Sequence, residues 1–419
     1  MAERFTIEKL GVRGDGISKD GNSQIFISGA LPGETVLAER DGARANLVEI
    51  IKPSAERIEP FCPYYSECGG CSAQHMAPAF YRQWKRDIVV NALHHAGLET
   101  DIAPLENAHG EGRRRVTLHV RNRNGKVESG FMAQRSHSLV AIDHCPVTVK
   151  ALHDAPAVAR QIGVTLGPQS KPVSIQFTAT ENGLDIDIRG HGDADETLRQ
   201  ALIRQADDLD LARIAIHGDI LVERKPPSVK MGDTDVVPPA GGFLQATEKG
   251  EALLSQHVLA FCEKSKRIAD LFAGCGPFSL RLASKADIHA VEFDRNSMLA
   301  LDRAARNAQG LRKITTETRD LFRRPLLKPE LERFDAIVLD PPRAGAEAQS
   351  RQIALSTVGR VVSVSCDAGT FARDAAILIA GGYVLEQVIP VDQFAYSAHV
   401  EMVALFTRPV SGAKRKRRY

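Results

Sequence analysis

No stretch of this chain carries enough consecutive apolar residues to cross a membrane, and Met1–Leu10 lacks the apolar centre of a signal peptide. Both absences point to the cytoplasm and to work away from membranes. Internal repeats and low-complexity segments are missing too. Charge of either sign is not in excess, because the net charge is only +2. What basic residues there are come in groups, and such groups bind phosphates. Lys414-Arg415-Lys416-Arg417-Arg418 closes the chain, and Arg113-Arg114-Arg115 with Arg121 and Arg123 forms the second group. The terminal run reads either as an RNA contact or as a solvated tail. Cysteine is sparse, at seven residues. In a reducing compartment those seven are metal ligands or catalytic thiols in preference to disulfides. The 419 residues, 43% hydrophobic and 25% charged, suggest two or three ordinary globular domains.

Short strand-like runs separated by Gly and Pro turns fill residues 5 to 51, which predicts a small β-barrel over residues 1–53. Arg13, Lys19, Arg40 and Arg44 on it are compatible with an OB-like nucleic-acid module or with a plain structural barrel. Next comes Cys62-Pro63-Tyr64-Tyr65-Ser66-Glu67-Cys68-Gly69-Gly70-Cys71, with five residues inside the first pair and two inside the second. Three thiolates at this spacing can surround one centre, and Cys145 of His144-Cys145-Pro146 offers a fourth. Four thiolates suit zinc or an iron–sulfur cluster. A long helix is predicted at 79–96, placed to pack on the catalytic domain. Strand-like patterns dominate from 111 to 229, with one helix near 195–206, so 54–232 reads as a β-rich central domain.

The last third, 233–410, alternates strand-like runs at 267–272, 288–293, 335–339 and 360–365 with helical patterns, the signature of a doubly wound parallel sheet. Two further strands are expected at 383–390 and 399–407, and a basic tail at 411–419. Candidate chemistry stands at the strand ends, where open α/β sheets hold ligands. Ile268-Ala269-Asp270-Leu271-Phe272-Ala273-Gly274-Cys275-Gly276 is a strand followed by a glycine turn. Glu292 follows after about twenty residues, where an acid grips ribose hydroxyls. A third glycine is absent, so adenosine without a pyrophosphate fits better than a dinucleotide. Asp320 and Asp340 follow the next two strands, the latter opening Asp340-Pro341-Pro342-Arg343-Ala344-Gly345. The run Arg360–Ser365 then delivers Cys366, followed by Asp367-Ala368-Gly369-Thr370. A thiol there is either a nucleophile or a buried structural cysteine.

The D-x-F-x-G-x-G run, the D-P-P-R-x-G turn, the S-C-D-x-x-T-x-A-R-D stretch and His399-Val400-Glu401 together resemble the RNA uracil-5-methyltransferase family. The resemblance implies a class I methyltransferase (Rossmann-like) domain that uses S-adenosylmethionine. Upstream it implies a TRAM barrel and a [4Fe–4S] cluster on Cys62, Cys68, Cys71 and Cys145, the pattern of ribosomal-RNA members. Carried over by motif, the nucleophile falls on Cys366 and the base on Glu401. Donor-binding positions fall on Gln245, Phe272, Gly274, Gly276, Glu292, Asp320 and Asp340. The chain departs from the family pattern at Ala368-Gly369 (Pro-Ala in many members), at Thr247 and Pro277 (Asn in members), and at Phe394-Ala395-Tyr396-Ser397, which replaces a Pro-His-Thr segment. None of these removes a reacting group.

The implied chemistry explains the residue types. A thiolate adding to uracil C6 makes C5 nucleophilic towards the donor methyl, and a carboxylate then removes the C5 proton. Cys366 is therefore expected to have a lowered pKa, helped by the helix start after Gly369. The target base must be single-stranded or flipped out. The expected partner is ribosomal RNA of the large subunit, acted on by a monomer. The alternatives are the same chemistry on tRNA, or a non-catalytic iron–sulfur RNA-binding protein. A cytosine-5 methyltransferase would lack the Cys366–Glu401 arrangement.

Overall fold

The computed structural model describes residues 2–123 and 125–409, so the basic run at 414–418 lies outside the described residues. The first six strands are β1 (Ala2–Thr6), β2 (Lys9–Leu10), β3 (Asp15–Asp20), β4 (Ser23–Ser28), β5 (Thr35–Asp41) and β6 (Arg44–Lys52). They form one sheet in the order β1-β5-β6-β4-β3-β2. Phe5, Ile7, Ile25, Ile27, Val36 and Ala38 are buried in its core. Ile25 and Ile27, or Val36 and Ala38, share a face because strand side chains alternate.

Helix α1 (Pro78–His95) agrees with the sequence reading and is followed by β7 (Glu106–Asn107). A seven-stranded sheet comes next, built from β8 (Arg115–Arg123), β9 (Lys126–Met132), β10 (Leu139–Ala141), β11 (Val173–Thr180), β12 (Gly183–Arg189), β13 (Arg213–Ile216) and β14 (Asp219–Glu223). Two helices, α2 (Ala155–Thr165) and α3 (Glu196–Asp208), pack on it. Helix α2 was not expected. Its buried Ala155, Ala159 and Ile162 are spaced as one helical face, and a proline opens its first turn.

After the small hairpin β15 (Val229–Met231) and β16 (Thr234–Val236), the remaining elements alternate. They are α4 (Glu248–Cys262), β17 (Arg267–Leu271), α5 (Pro277–Leu282), β18 (Asp287–Glu292), α6 (Arg295–Asn307), β19 (Ile314–Thr318), α7 (Lys328–Leu331), β20 (Ala336–Leu339), α8 (Glu347–Leu355), β21 (Arg360–Ser365), α9 (Ala368–Ala380), β22 (Val384–Asp392) and β23 (Glu401–Thr407). Their sheet runs β19-β18-β17-β20-β21-β23-β22-β7. The strands from β17 to β21 are parallel, and β23 is antiparallel to both its neighbours. Successive residues face opposite sides, so Ile268 and Val338 pack towards α4 and α6, whereas Ala269 and Ile337 pack towards α8 and α9. Val89 and Leu93 of α1 join that second face, and β7 pairs in parallel with β22 at the sheet edge. The chain leaves β17 first towards β18 and later returns on its other side at β20. That reversal is the switch point at which such sheets bind ligands.

Candidate active site

A cavity of 710 Å³ opens beyond the carboxyl ends of β17, β18, β20 and β21. Of the nine sequence-predicted catalytic and donor-binding residues, eight line it: Gln245, Phe272, Gly274, Glu292, Asp320, Asp340, Cys366 and Glu401. The ninth, Gly276, shapes the turn from behind. Its φ is +86°, and a β-carbon on it would stand 2.4 Å from Leu301 Cδ1 of α6. Glycine thus lets α5 begin directly under the sheet end. Phe272 also adopts positive φ, at +62°, and its ring packs 5.5 Å from that of Phe322. The Glu292 carboxylate is fixed by three backbone N–H groups: Gly274 donates to Oε2 at 3.1 Å, and Phe293 and Asp294 donate to Oε1 at 2.7 and 2.9 Å.

Three further ionisable groups, Glu401, Asp340 and Cys366, line the same cavity. Burial pushes the Glu401 carboxyl up to about 7, while Gln393, Arg343 and Lys85 pull the other way. Burial also holds Asp340 well above the usual carboxylate range, with the charge of Glu401 adding to it. The Cys366 thiol is pushed up to about 12 by burial and by Glu401 and Asp340, against the opposing charge of Arg343. The expected lowering of this thiol is therefore not seen in the free protein. The start of α9 does not supply it, because Asp367 caps that helix by accepting from Thr370 N at 2.9 Å. Desolvation beside two carboxyls outweighs one helix terminus.

Residues 393–400 connect β22 to β23, put Phe394 and His399 into the cavity wall and lead into Glu401. Lys85 of α1 is fully buried, pairs with Asp392, and donates to the carbonyls of Phe394 at 3.0 Å and His399 at 2.7 Å. Tyr81, one turn earlier, donates to Asp392 Oδ2 at 2.6 Å. Gln393 donates to Gln245 Oε1 at 2.7 Å, and Gln245 Nε2 donates to Asp340 Oδ2 at 3.2 Å.

Cys62, Cys68, Cys71 and Cys145 are free and half-buried. The charges of Cys68 and Cys71 act on Cys145, and that of Cys62 acts on Cys68 and Cys71. Among the described residues no group of three or more His, Cys, Asp or Glu side chains is gathered to hold a metal ion. Gly69 permits close backbone approach between these cysteines and the end of β9, since a β-carbon there would lie 2.8 Å from Met132 O.

A model of the tRNA (Uracil-5-)-methyltransferase family matches residues 241–409. An uncharacterized RNA methyltransferase of Mesorhizobium japonicum is 44% identical over 98% of this chain and 99% of its own length. The 23S rRNA (uracil(1939)-C(5))-methyltransferase RlmD of Halomonas elongata is 32% identical over 98% of this chain and 91% of its own length. The chain belongs to the RNA uracil-5-methyltransferase family. The Pyrococcus abyssi tRNA (uracil-54, C5)-methyltransferase, solved with S-adenosyl-L-homocysteine, shares the fold with a TM-score of 0.75 and 21% identity. That match covers 96% of this chain and 99% of the archaeal one.

Within this family the enzyme's departures now have structural roles. Thr247 caps α4 by accepting from Gly250 N at 2.9 Å, and donates to Ala108 O at 2.6 Å. Pro277 opens α5 and still lines the cavity. Ala368 and Gly369 form the first turn of α9. The sequence reading missed Gln393, Lys85, Phe293 and Phe322. For Gln393 and Lys85 the signal was weak: Lys85 stands in the largely polar run Arg82-Gln83-Trp84-Lys85-Arg86-Asp87 and Gln393 follows Asp392, and only the three-dimensional packing buries them. No helix among the described residues is long and apolar enough to cross a membrane.

Proposed function

We propose that this enzyme methylates uridine C5 in large-subunit ribosomal RNA, with Cys366 as nucleophile and Glu401 as base. One observation carries the reading: Cys366, Glu401 and Asp340 line one cavity together with Gly274 and Glu292, and both carboxyls push the Cys366 thiol upward. In this reading Gln245, Phe272, Glu292, Asp320 and Asp340 bind the donor, and Gly276 holds the turn. When bound, the donor supplies an electrophilic methyl group on a positively charged sulfur. Cys366 Sγ adds to C6 as the thiolate, and the C5=C6 electrons shift towards C5 and O4. C5 then takes the methyl group, leaving a neutral thioether. Glu401 removes the C5 proton, the C5=C6 bond re-forms, and the Cys366 thiolate leaves. A base that titrates near neutrality suits this step.

The six-stranded sheet over residues 2–52 is assigned to a TRAM barrel, and residues 54–232 and 233–410 to the central and catalytic domains. Cys62, Cys68, Cys71 and Cys145 fit a [4Fe–4S] cluster in kind: all four are free, half-buried sulfurs in electrostatic contact. A single zinc ion would draw four thiolates to one point about 2.3 Å away, and the iron and zinc content per chain distinguishes the two. The ribosomal substrate is supported by the identity to the Halomonas enzyme over nearly the whole chain. A tRNA substrate is the second reading, because the archaeal tRNA enzyme has the same architecture. Incubating the purified protein with methyl-labelled donor and either RNA decides between them. Label in 5-methyluridine of ribosomal RNA, and none with Cys366→Ala, is the expected result.

A further inference from the structure

We infer that the cysteine segment braces the loop leading to Glu401, and that Tyr396 is the positioning residue through which it does so. The inference rests on the uracil-5 methylation proposed above and goes beyond it by giving the cysteine segment a task in the reaction. Tyr396 stands midway along the 393–400 connection, in the left-handed region at φ +62°, a conformation that a bulky residue holds only when its surroundings impose it. Those surroundings come from the cysteine segment on both sides. The Tyr396 carbonyl accepts from Ser72 N at 2.7 Å and Ala73 N at 3.1 Å, directly after Cys71. Its ring meets that of Phe61, directly before Cys62, edge-on at 5.1 Å. Its N–H donates to the Tyr81 hydroxyl at 2.9 Å, and Tyr81 in turn holds Asp392.

The arrangement divides the cavity into a part that depends on the brace and a part that does not. Glu401 lies five residues beyond Tyr396, and Phe394 and His399 flank it in the same loop. Cys366 stands at the end of β21, and Glu292 at the end of β18, both inside the parallel part of the sheet. Gln393 stays tied to Gln245 and Ala246, and Cys366 and Glu292 lie outside the loop, so slackening at Tyr396 acts first on His399 and on Glu401 at the outset of β23. The ring and backbone of Tyr396 make these contacts, so phenylalanine will serve in its place and alanine will not.

The test uses the full-length protein purified without air, as wild type, Tyr396→Phe and Tyr396→Ala. Four quantities are measured: turnover on uridine RNA, S-adenosyl-L-homocysteine affinity, visible absorbance and iron per chain, and the covalent adduct trapped with 5-fluorouridine RNA. In that trap Cys366 adds and C5 is methylated, but fluorine cannot leave as a cation, so base removal is not needed. For Tyr396→Ala, turnover on uridine falls by up to about a hundredfold, the loss expected of a base misplaced by an ångström. Adduct yield, iron content and homocysteine affinity stay within about twofold, so the loss lies in kcat and the proton step. Tyr396→Phe restores turnover. Wild-type turnover in Tyr396→Ala overturns the inference, as does a parallel loss of adduct, iron and affinity. Failure of the wild-type protein to methylate uridine in any RNA would instead remove the reading on which the inference stands.

Discussion

Gln393 donates its side-chain amide to Gln245 Oε1 at 2.7 Å, and this hydrogen bond joins the donor wall of the cavity to the base wall. Gln393 Oε1 also accepts from Ala246 N at 3.0 Å, and its side chain counters the upward push on Glu401. Gln393→Leu leaves buried groups on Gln245 and Ala246 without partners, at about 1–3 kcal/mol each. The expected outcome is a lower urea midpoint and an acidic limb of the rate profile moved to higher pH. An unchanged midpoint and profile would show that the link is idle.

The pH dependence of the free enzyme should report Glu401. Its carboxyl is pushed up to about 7 and must be ionised to accept the C5 proton. So log kcat/KM rises with pH through neutrality and its slope breaks near 7, where Glu401 becomes ionised, with a shallower rise continuing above as Cys366 ionises. The stability sign is opposite. A raised carboxyl pKa means that the folded state holds the proton more tightly, so its contribution is full below the unfolded value and is lost as pH rises through about 7. Glu401→Gln should therefore gain thermal stability over wild type at pH 8 relative to pH 5. An acidic limb centred at the ordinary carboxylate value contradicts the burial argument.

Cys366 should be slow to alkylate in the free protein. Its thiol is pushed up to about 12 by burial and two neighbouring carboxyls, and only the thiolate reacts. Peptide mass spectrometry after iodoacetamide treatment should show labelling that climbs about tenfold per pH unit between 7 and 9. Rapid labelling at pH 6 would indicate a thiolate already formed before substrate binds.

Cys68→Ser tests the cluster assignment. Wild-type protein reconstituted under nitrogen is expected to hold about four irons per chain and to absorb in the visible range. The variant should lose both, together with thermal stability, since site formation and folding are coupled. One zinc per chain, retained against iron, would reassign the four cysteines.

Much of the catalytic sheet could be read from the sequence, because chemistry at strand ends needs fixed residue types at short spacing. The Phe272–Gly276 turn, Asp340-Pro341-Pro342 and Cys366 are of this kind. Elements fixed by tertiary contacts were not legible. The two-residue β7 exists only by pairing with β22, and the apolar spacing of α2 was lost among neighbouring strand patterns. The same holds for the titration of the site. A cysteine before a helix start suggests a lowered pKa, and only the folded arrangement shows Glu401 and Asp340 beside it. The brace at Tyr396 joins residues more than three hundred positions apart, beyond any local pattern.

The decisive measurement of Cys366-dependent uridine methylation maps 5-methyluridine in ribosomal RNA and tRNA from cells lacking the gene, complemented with wild type or Cys366→Ala. Loss of 5-methyluridine at one large-subunit position, restored by wild type and not by the variant, is expected. Unchanged 5-methyluridine in both RNA pools, or restoration by Cys366→Ala, would contradict it.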